Sequence, residues 1–374
     1  MSGLSRREFL QTALVALCPD GLAGGRYLGT VRFEGADRYP PFHTLIGSGL
    51  DARLYTDLSE LTSDTLVTPT GRFFVRTSAP VEIEPRAALA IPVTGLVKHP
   101  HSLSLRTLEA DARQAGPFLA ECAGNSSRAA FGLMSAATWS GVPLSEILGK
   151  AQPLRHATLV WISGFDRHSQ PSNSSIPGAS WIFPIERLVS SGAMLATGMN
   201  GRPLTRDHGW PVRLVVPGWY GCSWIKWVDE IALVDDSAPA TPQMREFAAR
   251  THQDGMPALA RDYRPAVIDL AALPIRIEKW VLHGKLAYRV VGILWGGGRM
   301  ETRLQIRFAA SEPFRLFDVC PAPSTTLTWS LWSYQWHPPQ RGWYDIAVKA
   351  GDPAIPSRRL DSYFYARRVW IDDV

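Results

Sequence analysis

Phe118-Leu119-Ala120-Glu121-Cys122-Ala123-Gly124-Asn125-Ser126 is the stretch on which the reading of this chain turns. Residues 118–123 are apolar apart from Glu121 and read as a strand. Gly124, Asn125 and Ser126 then make a turn. The Cys122 thiol therefore stands at a strand end, where the amides of the turn can point at a thiolate. On local sequence alone the same stretch also reads as an ordinary buried apolar cysteine. A thiol protease is a further reading, but it needs a histidine with an orienting Asn or Asp.

A second cluster lies downstream. Arg206-Asp207-His208-Gly209-Trp210-Pro211-Val212-Arg213 is followed by Trp224-Ile225-Lys226, sixteen to eighteen residues after His208. A His, an Arg and a Lys delivered by one strand–turn–strand suit an anionic ligand with ring nitrogens and a phosphate. The plain alternative is a solvated polar turn beside a strand.

Around these clusters the elements follow from pattern. Residues 31–70 mix Gly, Pro and polar side chains and read as a wandering segment. Residues 72–76, 159–162, 211–217 and 225–234 are expected strands, and 104–115 and 142–148 expected helices. Beyond about 265 the texture changes to regular short strands at 275–282, 287–295, 301–308, 326–332, 343–348 and 362–369, which argue a β-sandwich. The domain boundary is expected near 240–265.

The 374 residues leave room for two domains. Apolar side chains make up 45% and charged ones 20%, enough to bury a core and too few charges for a disordered chain. The net charge is +5 with no Lys/Arg block, which speaks against nucleic acid as a partner. A basic balance fits an anionic substrate and serves solubility equally well. Cys18, Cys122, Cys222 and Cys320 form no CxxC zinc pair and no CxxCH haem site. The HExxH, GxxxxGK[ST] and GxSxG patterns are missing too.

Several stretches, in order, resemble the sulfite oxidase family of molybdopterin-dependent oxidoreductases, in its exported bacterial branch. They are Phe73-Phe74-Val75-Arg76, Glu121-Cys122-Ala123-Gly124-Asn125, Thr138-Trp139-Ser140-Gly141-Val142-Pro143-Leu144 and Met199-Asn200-Gly201-Arg202-Pro203-Leu204-Thr205-Arg206-Asp207-His208-Gly209. Pro211-Val212-Arg213-Leu214-Val215-Val216-Pro217-Gly218 with Lys226-Trp227 continues the likeness. The tail from about 265, notably Leu294-Trp295-Gly296-Gly297-Gly298-Arg299, resembles that family's immunoglobulin-like dimerisation domain. The resemblance implies an α+β chain. It has a leader at 1–30, a mixed α/β molybdopterin domain at 31–240, and an immunoglobulin-like β-sandwich at 241–374.

In this family a cysteine thiolate binds molybdenum, whose other soft ligands come from a pterin dithiolene. The matching residue is Cys122, and soft sulfur suits such a metal. The resemblance assigns pterin binding to Phe74, Val75, Arg76, Thr77, Ser78, Asp166, His208, Arg213, Trp224, Ile225 and Lys226. Arg76 also faces the substrate, joined by Arg299 from the second domain, so Cys122, Arg76 and Arg299 are the expected catalytic residues. The implied cofactor is molybdenum-molybdopterin (Mo-MPT), with no haem.

The chain departs from the family pattern in its substrate pocket. Thr77 and Ser78 replace an Asn-His pair. The family's second arginine falls on Ser127, with Arg128 one place late. The active-site tyrosine falls on Phe247, and a pocket tryptophan is lost in a shortened stretch between Arg128 and Trp139.

The implied reaction is oxygen-atom transfer at a sulfur oxyanion, as in a sulfite dehydrogenase, with electrons leaving to an external acceptor such as cytochrome c. The same centre can run as a sulfoxide or other oxide reductase. A reading of another class is a secreted, non-catalytic β-sandwich binding protein.

Ser5-Arg6-Arg7-Glu8-Phe9-Leu10, followed by a short apolar run, resembles a twin-arginine export signal. The run is too short for a bilayer core of about 30 Å, so no membrane span is expected. A cofactor inserted in the cytoplasm needs an exporter of folded cargo, which places the mature chain in the periplasm. A sandwich with Trp329, Trp332 and Trp336 exposed would seek a partner surface, so a homodimer is expected.

Overall fold

The computed structural model describes residues 22, 24–80, 89–166, 177–355 and 366–374. The twin-arginine motif at Arg6 and Arg7 lies outside the described residues. The chain divides into two compact units. A cavity unit holds Pro40–Asp57 and Thr65–Ile268, and a sandwich unit holds the described residues before Pro40, Leu58–Asp64 and Asp269–Val374. The division thus falls at Ile268, and residues 241–268 go with the cavity unit. The N-terminal strand Arg26–Val31 goes to the sandwich unit because it pairs antiparallel with Ala271–Leu282.

The cavity unit is mostly β with short helices. One sheet runs Arg213–Val215, Met194–Met199, Met134–Pro143, Arg113–Glu121, all antiparallel, with Arg202–Pro203 paired onto Met194–Met199. The other runs His101–Ser104, Ala90–Gly95, Val228–Val234, Leu159–Gly164, Ser180–Pro184. Its Ala90–Gly95 and Val228–Val234 strands are parallel. Met194–Met199 is apolar apart from Thr197 and is buried at every position, as an interior strand requires. The helix Leu144–Ala151 buries Leu144, Ile147, Leu148 and Ala151, the single stripe expected at helical spacing.

Two expected elements differ. The helix over 104–115 stops at Ala110, capped at its start by Ser104 Oγ, which accepts from the Thr107 N–H at 3.1 Å. The residues after it join the ladder with Met134–Pro143, so tertiary pairing overrides their helix propensity. The expected strand at 72–76 is a 3-10 turn, Thr70–Arg72, followed by one isolated bridge between Val75 and Leu54.

The sandwich unit has two four-stranded sheets among the described residues. One runs Arg26–Val31, Ala271–Leu282, Lys285–Trp295, Ser330–Trp336; the other runs Arg315–Asp318, Arg303–Arg307, Gly342–Ala350, Arg367–Ile371. Their inner faces share one core, with Leu294 and Trp332 from the first sheet and Ile306, Ile346 and Val369 from the second. His283 and Gly284, both at positive φ, make the two-residue turn between Ala271–Leu282 and Lys285–Trp295. Trp329, Trp332 and Trp336, expected on the surface, are only 1–3% exposed. On Ser330–Trp336 the side chains alternate, and Trp332 and Trp336 fall on the face that meets the other sheet. Among the described residues no helix is long and apolar enough to cross a membrane.

Candidate active site

Strand Arg113–Glu121 delivers Cys122 to the end of its sheet. The turn beyond is closed by backbone and side-chain bonds. The Cys122 N–H donates to Leu133 O and the Asn125 N–H to Cys122 O, both at 2.9 Å. The Leu133 N–H donates to Asn125 Oδ1 at 3.1 Å. This holds the Gly124 N–H 3.4 Å from Cys122 Sγ, as a donor to sulfur. Burial pushes the thiol pKa up, opposed by the Gly124 N–H and by the charges of Arg76, Arg250 and Arg53. The net direction is upward, so the cofactor-free thiol keeps its proton at neutral pH, and a metal bound there would displace it.

Arg76 reaches the same place from the bridge at Val75. Leu54 and Val75 exchange backbone hydrogen bonds at 2.8 and 3.1 Å, which lays Arg53 beside Arg76. Arg53 Nη1 donates to the carbonyls of Ala52 at 2.9 Å and Arg76 at 3.0 Å, and Arg76 Nη1 donates to Leu50 O at 2.6 Å. Burial lowers both guanidinium pKa values, and both side chains remain cations.

A second group of cations comes from Arg213–Val215 and the segments around it. The Arg213 guanidinium lies 4.9 Å from the Trp139 ring centroid and 5.7 Å from that of Trp224. Its Nη1 donates to His208 O at 3.1 Å, its Nε has no partner among the described residues, and burial lowers its pKa to about 9. Lys226 Nζ donates to the carbonyls of Thr77 and, at 2.9 Å, Asp207. Burial and then the Arg213 charge lower the Lys226 pKa to about 7. Burial brings His208 down to about 4, so its ring is neutral. Its Nε2 lies 3.0 Å from Thr70 O. A carbonyl only accepts, so Nε2 carries the proton and Nδ1 is left as an acceptor. Burial raises Asp166 to about 6, opposed first by the Ala179 N–H that donates to its Oδ1 at 2.5 Å.

These groups open onto one cavity. Phe74, Val75, Arg76, Thr77, Cys122, Asp166, His208, Arg213, Trp224, Ile225 and Lys226 all line it. Two expected site residues do not. Ser78 is buried with its Oγ 3.5 Å from Gly49 O. Arg299 belongs to the sandwich unit, where it is exposed and its Nη2 lies 3.7 Å from Asp352. Sequence reading missed Cys222, Glu246, Arg53 and Arg250. The first two line the cavity, and the last two act on Cys122 by charge. No local pattern marks them, because each reaches the site from a segment far from Cys122 in the chain.

The donor set fits an anionic pterin. Arg213 is 6% exposed and has no carboxylate partner among the described residues. A buried cation without a counter-ion is strongly destabilising, and an anion in the cavity relieves it. Lys226 adds a partly buried amine that a bound anion would hold as a cation, and neutral His208 offers an acceptor for a ring N–H. Among the described residues no three His, Cys, Asp or Glu side chains group as a metal site. A metal here would take one thiolate from the protein and its other ligands from the cofactor.

Residues 78–241 match the family described as oxidoreductase molybdopterin binding domain. The sulfite oxidase of Gallus gallus is 29% identical over 302 residues, covering 73% of this chain and 64% of that protein. Residues 78–241 thus form a molybdopterin-binding oxidoreductase domain, and the chain is similar to sulfite oxidases. A relative named nitrate reductase [NADPH] in Neurospora crassa is 30% identical over 269 residues, which cover 61% of this chain and 27% of that protein. The chain thus spans less than two thirds of the length of these relatives. The crystal structure of the sulfane dehydrogenase SoxCD from Paracoccus pantotrophus matches with a TM-score of 0.61 at 20% identity, covering 95% of this chain and 85% of that one. At that identity the likeness is one of fold.

Proposed function

We propose that this chain is a periplasmic molybdenum-molybdopterin oxidoreductase acting on a small sulfur oxyanion, with electrons passed to an external acceptor such as cytochrome c and no haem of its own. The observation that carries the reading is Arg213, buried with no carboxylate partner among the described residues and sharing a cavity with Lys226, His208 and Cys122. Arg213 and Lys226 would bind the cofactor's phosphate, and His208 and Asp166 would orient its ring. Phe74, Val75, Thr77, Trp224 and Ile225 would pack around it, with Ser78 behind them. Cys122 would hold the metal through its thiolate. When bound, the cofactor supplies oxygen-atom transfer and storage of two electrons. Arg76 would place positive charge where the substrate carries its negative charge. For Arg299 the substrate role rests on the resemblance of its local motif alone.

Metal analysis tests the reading first. About one molybdenum per chain, in protein made by a cofactor-competent host, is expected; none would favour a non-catalytic binding protein. An assay panel of sulfite, thiosulfate, sulfoxides and nitrate, run in both directions with dyes, tests the substrate class. A second reading, an oxide reductase, is favoured by the nitrate reductases among the relatives and by Ser127 and Phe247 in the pocket stretches. Nitrate or sulfoxide reduction without sulfite oxidation would establish it.

The sandwich is proposed to be immunoglobulin-like and to pair two copies. Counted from Ala271–Leu282, its first, second and fifth strands share one sheet, and its third, fourth, sixth and seventh share the other. That split supports an immunoglobulin relationship with the fourth strand on the opposite sheet. Trp343 and Trp370, 49% and 46% exposed with ring centroids 5.4 Å apart, offer an aromatic patch for a partner. A monomeric mass in solution at micromolar concentration would count against the dimer.

A further inference from the structure

We infer that Arg250 is a substrate-orienting residue of this site, which receives the negative charge of an anion held beside Cys122. The inference rests on the oxyanion reading above and deepens it. Three arginines act on the Cys122 thiol: Arg76, Arg250 and Arg53. Arg53 and Arg76 spend guanidinium donors on the carbonyls of Ala52, Arg76 and Leu50. Arg250 has no hydrogen bond or ion pair with the described residues, and it is exposed. Its guanidinium lies 5.1 Å from the centroid of Phe247, a ring that lines the cavity. Stacking on that ring orients the planar fork while leaving its N–H edge available.

Gly124 shows how near the two groups are. A β-carbon built there would lie 3.8 Å from Cys122 Sγ and 3.9 Å from Arg250 Nη1. Thiol and guanidinium are therefore at most about 8 Å apart, both next to a residue with no side chain. An anion that approaches Cys122 meets a cation whose donors are not committed to the backbone. A guanidinium in that state binds a small oxyanion through two parallel N–H···O contacts, a geometry an ammonium lacks.

The test uses purified holoenzyme, with sulfate as the anionic probe in calorimetric titration, sulfite as the kinetic probe and dimethyl sulfoxide as the neutral one. Arg250→Ala should weaken sulfate binding and raise the KM for sulfite about ten- to hundredfold, the usual loss for one charge-assisted contact. Molybdenum content, melting temperature and the response to dimethyl sulfoxide should be unchanged. Arg250→Lys should recover part of the loss. Unchanged sulfate binding in Arg250→Ala, or an equal loss toward dimethyl sulfoxide, would overturn the role of Arg250 and leave the proposed function standing. A wild-type enzyme that neither binds sulfate nor oxidises sulfite would overturn the oxyanion reading, and the role of Arg250 with it.

Discussion

Arg53 donates from Nη1 to the main-chain carbonyl of Arg76 at 3.0 Å, so its guanidinium is tied to the backbone of a second arginine that acts on the same thiol. Both charges pull the Cys122 pKa down against its burial. Arg53→Gln keeps an amide donor and removes the charge. In cofactor-free protein it should raise the thiol pKa and slow alkylation by iodoacetamide severalfold at a fixed alkaline pH. An unchanged alkylation rate would show that the Arg53 charge does not reach the sulfur.

Cys122→Ser should reduce turnover to background and lower molybdenum retention, because a hard hydroxyl poorly replaces a soft thiolate. The far-UV circular dichroism should not change, since the turn is held by backbone groups and Asn125 rather than by the sulfur. Normal activity in this variant would end the metal-ligand assignment.

Lys226 titrates at about 7 in the folded chain, against 10.5 for the ordinary side chain. Between those values the unfolded chain binds a proton that the folded chain releases. Stability of cofactor-free protein should therefore rise with pH across this window and be lost as pH falls through about 7. Arg213, lowered to about 9, acts in the same direction at higher pH. A bound phosphate raises both pKa values again, so holoenzyme should show a flatter melting profile between pH 7 and 10. Lys226→Met should flatten the cofactor-free profile as well. Equal slopes in cofactor-free and loaded protein would mean that no anion is held at Lys226.

Gly292 lies under the ring of Trp332. A β-carbon there would sit 2.1 Å from Trp332 Cζ2 and 2.5 Å from Leu273 O. Trp332 is 1% exposed and part of the sandwich core, so it has little room to withdraw. Gly292→Ala should cost about 1–3 kcal/mol or more in chemical denaturation. A loss below the error of the measurement would mean that Trp332 yields more easily than its packing indicates.

Arg6 and Arg7 carry the export proposal. Changing both to Lys preserves charge and should trap precursor inside the cell, because the signal is read by a receptor. Mature protein still reaching the periplasm would exclude the twin-arginine route.

Much of the site is legible in the chain itself. The Cys122 turn is local: a strand, a glycine and an asparagine specify it within a few residues. His208, Arg213 and Lys226 come from one strand–turn–strand region, so their proximity follows from short sequence separation. The strands after 271 are legible for a similar reason, since period-two alternation and turn residues are nearest-neighbour signals. Depth is a different matter. Trp329, Trp332 and Trp336 read as a surface patch and lie in the core, because the inward face of a strand depends on which sheet covers it.

The likeness to sulfite oxidases, the cysteine turn and the cation cluster are all carried by contiguous motifs. Folding in three dimensions brings Arg53, Cys222, Glu246 and Arg250 to Cys122 and its cavity, assigns residues 241–268 to the cavity unit, and buries Arg213 with no carboxylate partner among the described residues. The physical reason is range. Turns and strand periodicity act over a few residues. Burial and charge act through space, among groups that the chain brings together only when the Leu54–Val75 bridge and the two sheets have closed.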